Sequence, residues 1–272
     1  MEARRAMHGL LEEIVRSRRK RVQRDAMEEE RGEPRILRPQ DPWARNVAIQ
    51  DLTPFLIAEV KRASPSRGAI APEADAAERA RRYEAGGAAA VSVLCEPERF
   101  GGSREDVRAA AAAVSVPVLC KDFVVDPVQL RWAREDGARW VLLIARVLGN
   151  DLRAFVQEAL ALGLEPLVEA HSEGEMEAAL STDARLVGVN ARDLDTLAVD
   201  LSVVERLAPL CPPDRVCVAE SGIRRPEDVR RLREAGARGF LVGESLMREE
   251  RPERLLARFR SALGLNASEE WA

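Results

Sequence analysis

Six short stretches of this chain place acids, bases and glycines where apolar runs end, a pattern suited to proton transfer. In LIAEVKRASPSRG (56–68), Glu59 and Lys61 stand two residues apart. Successive side chains of an extended segment point to opposite faces, so these two share one face. By the same count Lys121 and Phe123 share a face in LCKDF, and Asn190 and Arg192 share one in GVNARD. EPLVEA carries Glu169, AESG carries Glu220, Ser221 and Gly222, and LVGES carries Gly243 and Glu244. The lysines are the informative members. Of 42 Lys and Arg residues only three are lysine: Lys20, Lys61 and Lys121. A guanidinium is effectively never deprotonated, whereas an ammonium donates a proton when its surroundings lower its pKa. Arg would serve a structural ion pair equally well, so two lysines kept at the ends of apolar runs point to acid–base chemistry.

Glu59, Glu169 and Glu220 could together hold a divalent metal. Lys61, Lys121 and Arg192 in the same set favour an anionic ligand instead. Gly222 and Gly243, each just after an apolar run, fit a phosphate site in which backbone N–H groups approach the anion closely. Ser64 and Ser66 could add hydroxyl donors, or could serve the turn around Pro65. The two histidines, His8 and His171, lack the partner pattern of a Ser-His-Asp or Cys-His site. The four cysteines, Cys95, Cys120, Cys211 and Cys217, form no C-x-x-C pair and read as small core residues.

The elements that must position these residues form a repeat. RRYEAGGAAAVSVL (81–94), RWAREDGARWVLLI (131–144) and RRLREAGARGFLVG (230–243) each run from an Arg-rich helix end through Gly into an apolar run, and EALALGLEPLVEA (158–170) is a looser copy. The Gly suits the left-handed position that closes a helix. Eight strands are predicted at 55–60, 89–94, 116–121, 140–145, 165–169, 186–190, 215–220 and 239–243. Helices are predicted near 74–85, 103–114, 126–136, 150–162, 172–181, 201–209, 226–235 and 252–263. Eight βα units are what a (β/α)₈ barrel needs, and such barrels place their chemistry at the C-terminal strand ends. An open doubly wound sheet would usually carry a Gly-rich fingerprint after its first strand, and KRASPSRG is not one.

The chain therefore divides into an extension, 1–50, and a catalytic barrel, 51–272. LLEEIVRSRRKRVQRDAMEEE in the extension has helical spacing, and Pro34, Pro39 and Pro42 follow it. This helix is either a solvated surface element or a lid over one barrel mouth. With 272 residues, 46% hydrophobic and a net charge of -4, the chain suits a soluble globular protein and not a general nucleic-acid binder. The basic segment RSRRKR (16–21) would suit an RNA-binding or scaffold protein, but acidic residues at 25–30 oppose it. No apolar run reaches membrane-spanning length and no signal-peptide core is present, so a cytoplasmic location is expected.

Taken in order, AEVKRASPSRG, CKDFVVDPVQL, LLIARVL, EPLVEAH, GVNARDL, VAESGI and FLVGESLM resemble the indole-3-glycerol-phosphate synthase family of tryptophan biosynthesis, from about 52 to 263. The resemblance implies a (β/α)₈ TIM barrel with an N-terminal helical extension, no cofactor and no metal. It implies a lyase acting on 1-(2-carboxyphenylamino)-1-deoxyribulose 5-phosphate by ring closure, decarboxylation and dehydration. No nucleic-acid or membrane partner is expected, and the chain would be a monomer or homodimer. Matched motif by motif, Lys121 resembles a general acid on the substrate carbonyl. Glu169 resembles the general base, and Lys61 a second acid that meets the substrate carboxylate. Glu59, Asn190 and Glu220 resemble residues that orient the lysines and the sugar hydroxyls. Ser64, Arg192, Ser221, Gly222, Gly243 and Glu244 fall at substrate- or phosphate-binding positions, with backbone contact expected at Glu244. Phe100 and Phe123 resemble the wall around the anthranilate ring. Lys61 and Lys121 are expected to hold each other's pKa down by like-charge repulsion, with nearby carboxylates opposing. A neighbouring barrel enzyme, phosphoribosylanthranilate isomerase, would instead call for a Cys and Asp pair, and Cys120 and Cys217 lie one residue off the mouth-facing parity.

Overall fold

Alternation along each apolar run divides its side chains between two cores, and that division closes the barrel. The computed structural model describes residues 9–30, 49 and 53–265. Pro34, Pro39 and Pro42 lie outside the described residues. The strands are β1 (Phe55–Val60), β2 (Ala90–Leu94), β3 (Val118–Lys121), β4 (Trp140–Ile144), β5 (Glu165–Ala170), β6 (Leu186–Asn190), β7 (Val216–Glu220) and β8 (Gly239–Val242). All eight pair in parallel in chain order, and β1 pairs with both β2 and β8. Phe55 and Ile57, Leu119, Trp140 and Leu142, Leu167, Leu186, Val216 and Val218, and Leu241 belong to the cluster inside the barrel. Their neighbours Leu56, Ala58, Val118, Cys120, Val141, Val168, Val187, Cys217 and Phe240 belong to the cluster under the helices. Phe55 meets Trp140 edge-on within the inner cluster, with centroids 6.1 Å apart.

The helices between and after the strands are α2 (Ala76–Ala85), α3 (Pro97–Phe100), α4 (Arg104–Ala113), α5 (Val128–Glu135), α6 (Ala145–Leu148), α7 (Leu152–Ala161), α8 (Glu173–Leu180), α9 (Ser202–Leu207), α10 (Pro226–Glu234), α11 (Glu244–Arg248) and α12 (Pro252–Ala262). Side chains start several of them: Asp75 accepts from Glu78 N, Ser103 from Asp106 N and Ser172 from Glu175 N. Each such cap is worth about 1 kcal/mol. The glycines of the repeat take positive φ, as at Gly137 (90°) and Gly236 (109°), where a side chain would be strained. Every predicted strand and helix is present, with ends shifted by a residue or two. The region 201–209 is shorter than predicted, because α9 gives way to a 3-10 turn at Ala208–Leu210. Three short helices, α3, α6 and α11, were not predicted. Each is only four or five residues long, so none shows a 3.6-residue period.

The helix of the extension, α1 (Leu10–Glu30), buries one stripe: Leu11, Ile14, Arg18 and Val22. The spacing is three, four and four residues, as a single helix face requires. Leu11 and Ile14 join the inner cluster beside Phe123, Leu142 and Ile144, so the helix lies across the C-terminal mouth. Among the described residues no helix is long and apolar enough to cross a membrane.

Candidate active site

Inside the barrel the inward parity runs upward from apolar to charged. Glu59 follows Phe55 and Ile57, Lys121 follows Leu119, Glu169 follows Leu167, and Glu220 follows Val216 and Val218. The top inward layer is therefore polar where the layers below are aliphatic. Glu59, Glu169 and Glu220 are all buried there. Lys121 Nζ donates to Glu220 Oε2 at 2.9 Å and meets Glu59 Oε1 at 3.1 Å. Lys61 Nζ donates to the other oxygen of Glu59. Acids and bases thus alternate across the mouth as Lys61, Glu59, Lys121, Glu220. Among the described residues no group of three or more His, Cys, Asp or Glu side chains is arranged to hold a metal ion.

The electrostatics correct one expectation. Burial works to lower the pKa of Lys121, but the charges of Glu220, Glu59 and Glu169 outweigh it and hold the ammonium well above its ordinary value. The lysine is not primed by like-charge repulsion, because three carboxylates face it. Burial would raise the Glu59 carboxyl, yet Lys121 and Lys61 pull it down to about 2. Burial pushes Glu220 up to about 7, with Lys121 opposing and Glu169 and Glu59 adding.

Two glycines make room for these carboxylates. A Cβ on Gly243 would lie 2.3 Å from Glu59 Oε2, and one on Gly188 would lie 2.1 Å from Glu220 Oε1. Beside its expected place at the phosphate, Gly243 thus leaves room for the Glu59 carboxylate. Gly222 has φ 79° and follows Ser221 at φ 65°, so two left-handed residues in succession turn the chain at the end of β7. A Cβ on Gly222 would press on Val199 and Leu201.

The remaining predicted residues gather around the same cavity. Its lining includes Ser64, Phe100, Phe123, Asn190, Arg192, Ser221, Gly222, Gly243 and Glu244. Asn190 Oδ1 accepts from Arg192 N at 2.9 Å, and Arg192 Nη1 donates to Ser66 Oγ at 3.2 Å and Leu197 O at 2.9 Å. Ser64 sits in a small hairpin whose two strands, Ala63–Ser64 and Gly68–Ala69, are two residues each. The Glu244 carboxylate meets Arg67 at 3.2 Å and Arg248 at 3.4 Å. Glu96 Oε2 accepts from the N–H groups of Arg99 and Phe100 at 2.7 and 3.1 Å, which fixes the short turn that carries Phe100. The rings of Phe100 and Phe123 lie 6.1 Å apart at 41°. With Leu10, Leu11 and Ile14 of α1 they make one wall apolar, while the far wall is polar and cationic.

Four features escaped the sequence reading. Arg224 lines the cavity beside Gly222. Gly188 leaves space for Glu220. Arg18 reaches from α1 to Asp122. His171 lies between Glu169 and Glu175. Two spacings carried a signal for the last: His171 stands two residues after Glu169 and four before Glu175.

The chain is similar to known proteins along most of its length. The family model described as indole-3-glycerol phosphate synthase matches residues 11–259. A protein of that name from Nocardioides sp. is 55% identical over 216 residues, covering 79% of this chain and 82% of that protein. Another, from Kineococcus radiotolerans, is 49% identical over 223 residues, covering 82% of this chain and 79% of that protein. Among solved structures, thiamine phosphate pyrophosphorylase from Pyrococcus furiosus superposes with a TM-score of 0.60 at 15% identity, covering 80% of this chain and 98% of that one. At that identity the likeness is one of fold. A match along nearly the whole chain, with relatives at about half identity, makes this protein a member of the indole-3-glycerol phosphate synthase family.

Proposed function

We infer that this enzyme is a carboxy-lyase converting 1-(2-carboxyphenylamino)-1-deoxyribulose 5-phosphate to indole-3-glycerol phosphate. Family membership supports the reaction. The observation that carries the assignment of roles is the alternating row Lys61, Glu59, Lys121, Glu220 beside a Phe100 and Phe123 wall. A substrate with an aromatic carboxylate at one end and a phosphate at the other matches a cavity with one apolar wall and one cationic wall.

Three steps follow from the bonds that must change. The aromatic carbon bearing the carboxylate attacks the ketone carbon, and the ketone oxygen takes a proton. Lys121 supplies it, since its carboxylate neighbours keep the ammonium fully loaded at neutral pH. CO₂ then leaves without its bonding electrons, which restores the aromatic ring. Last, the new hydroxyl departs as water with a proton from a lysine, while Glu169 takes a proton from the adjoining carbon. Lys61 neutralises the substrate carboxylate until it leaves. Glu59 and Glu220 hold the lysines in place, and Asn190 orients the sugar hydroxyls. Ser64, Arg192, Ser221 and the turn at Gly222 receive the phosphate, and α1 closes the mouth over the aromatic ring. Each acid or base contributes about 10²–10⁴-fold.

The test is direct turnover. Purified protein should generate indole fluorescence from the carboxyphenylamino-deoxyribulose phosphate, with release of one CO₂ per indole formed. Folded protein that yields neither product would refute the assignment.

A further inference from the structure

Glu169 has a problem that the proposed mechanism leaves open. Its side chain is only 2% exposed, and a base that takes a proton from carbon must pass it to water before the next turnover. On its inner side lie Lys121 and the fully buried Glu220, 2.9 Å apart. On its outer side lies His171, at the start of the loop after β5. His171 Nε2 is 3.4 Å from Glu169 Oε1, and that nitrogen is buried with no hydrogen-bond partner. His171 Nδ1 is 3.2 Å from Glu175 Oε2, which also accepts from the His171 backbone N–H at 2.9 Å. Exposure rises along this row, from 2% at Glu169 to 11% at His171 and 20% at Glu175. Glu175 stands in the first turn of α8.

We propose that His171 is the proton outlet of Glu169, carrying the proton taken from substrate carbon to Glu175 and so to solvent. The proposal rests on the reading of Glu169 as the base. In the resting state Nδ1–H donates to Glu175, and Nε2 keeps its lone pair 3.4 Å from Glu169 Oε1. When Glu169 takes the carbon-bound proton, the C–H electron pair stays with the substrate and expels the protonated hydroxyl as water. The proton on Glu169 then passes to Nε2, which gives an imidazolium held between two carboxylates. The Nδ1 proton leaves by Glu175 to water, and tautomer exchange returns the lone pair to Nε2. One proton is moved and no electrons change hands.

The charges facing the ring support this path. Burial works to lower its pKa, but Glu175, Glu169 and Glu220 outweigh it and hold the imidazole above its ordinary value, so it can keep a proton in transit. Glu175 is held low against its own burial by His171 and by Arg146 of α6, which is itself paired with Asp195 at 2.6 Å. The acceptor at the outer end therefore stays ionised. His171 touches Glu169 and acts through it, so it is a positioning and relay residue.

The experiment compares His171→Gln, His171→Asn and Glu169→Gln with the parent in steady-state kinetics, in H₂O and D₂O, with and without added imidazole. Circular dichroism checks folding, and the Asn variant stands in if the Gln variant misfolds. Losing one proton-transfer step should lower kcat about 10-fold or more with KM nearly unchanged. The solvent isotope effect on kcat should rise, and imidazole should restore part of the rate. Glu169→Gln should be inactive and not rescued. Parent-like kcat in both His171 variants, or a loss that imidazole and D₂O leave untouched, would overturn the relay while leaving Glu169 as base. A fully active Glu169→Gln would instead overturn the base assignment, and the relay with it.

Discussion

Arg18 in the middle of α1 and Asp122, the residue after Lys121, form a two-pronged ion pair whose side chains are 5% and 4% exposed. Arg18 Nε lies 2.9 and 3.1 Å from the two carboxylate oxygens. Asp122 also accepts from Gln129 Nε2 at 3.1 Å and from Phe123 N at 2.8 Å. The extension is therefore tied to the backbone that carries Lys121 and Phe123. Removing one partner of a buried pair leaves an uncompensated charge, at a cost of about 3–5 kcal/mol. Arg18→Met should lower unfolding stability on that scale and raise KM. The double variant Arg18→Met with Asp122→Asn should regain part of the stability. Denaturant unfolding of the two variants and the parent checks the pairing, and equal stability of Arg18→Met and parent would sink it.

Lys121→Arg keeps the charge but not the titration. It must also fit a wider fork between Glu59 and Glu220, which already flank the ammonium at 3.1 and 2.9 Å. The expected loss in kcat is on the order of 10²-fold, with a smaller change in KM. Lys20→Arg, on the exposed face of α1, serves as the silent control. Retention of more than half the parent kcat by Lys121→Arg would reduce that lysine to a fixed charge.

Gly243→Ala and Gly188→Ala should both impair catalysis more than phosphate binding, because their new methyl groups press on Glu59 and Glu220. A displacement of about 1 Å in catalytic groups costs up to ~10²-fold in rate. Calorimetry with inorganic phosphate beside turnover measurements separates the two effects. Lost phosphate affinity at parent-like kcat would show that Gly243 serves the phosphate and not the placement of Glu59.

The pH dependence of stability follows from Glu220 and Glu59 with opposite signs. Glu220 holds its proton up to about 7 when folded, against an ordinary value of 4.5. Its favourable contribution is full below 4.5 and is lost as pH rises through about 7. The slope is on the order of 1 kcal/mol per pH unit at most. Glu59, lowered to about 2, stabilises above 4.5 and loses that contribution as pH falls toward 2. Glu220→Gln should flatten the fall in thermal midpoint between roughly pH 5 and 7. An identical profile in that variant and the parent would show that Glu220 does not titrate there.

What could be read from the residues alone was whatever depends on local period. Alternation of two along LIAEV and VLCK placed Glu59 and Lys121 on the inward face, because consecutive side chains of a strand cannot share one. The scarcity of lysine marked Lys61 and Lys121 before any contact was known, since composition carries chemical meaning without geometry. Glycine spacing gave the repeat, because a left-handed residue after a helix is a backbone requirement. The structure alone decided relations between distant elements. Arg18 and Asp122 are 104 residues apart, and nothing near either names the other. Gly243 faces Glu59 only because the barrel closes β8 against β1. The sign of the Lys121 shift was inaccessible for the same reason. It depends on how many carboxylates converge on one ammonium, and β1, β5 and β7 bring Glu59, Glu169 and Glu220 together only once the sheet has closed.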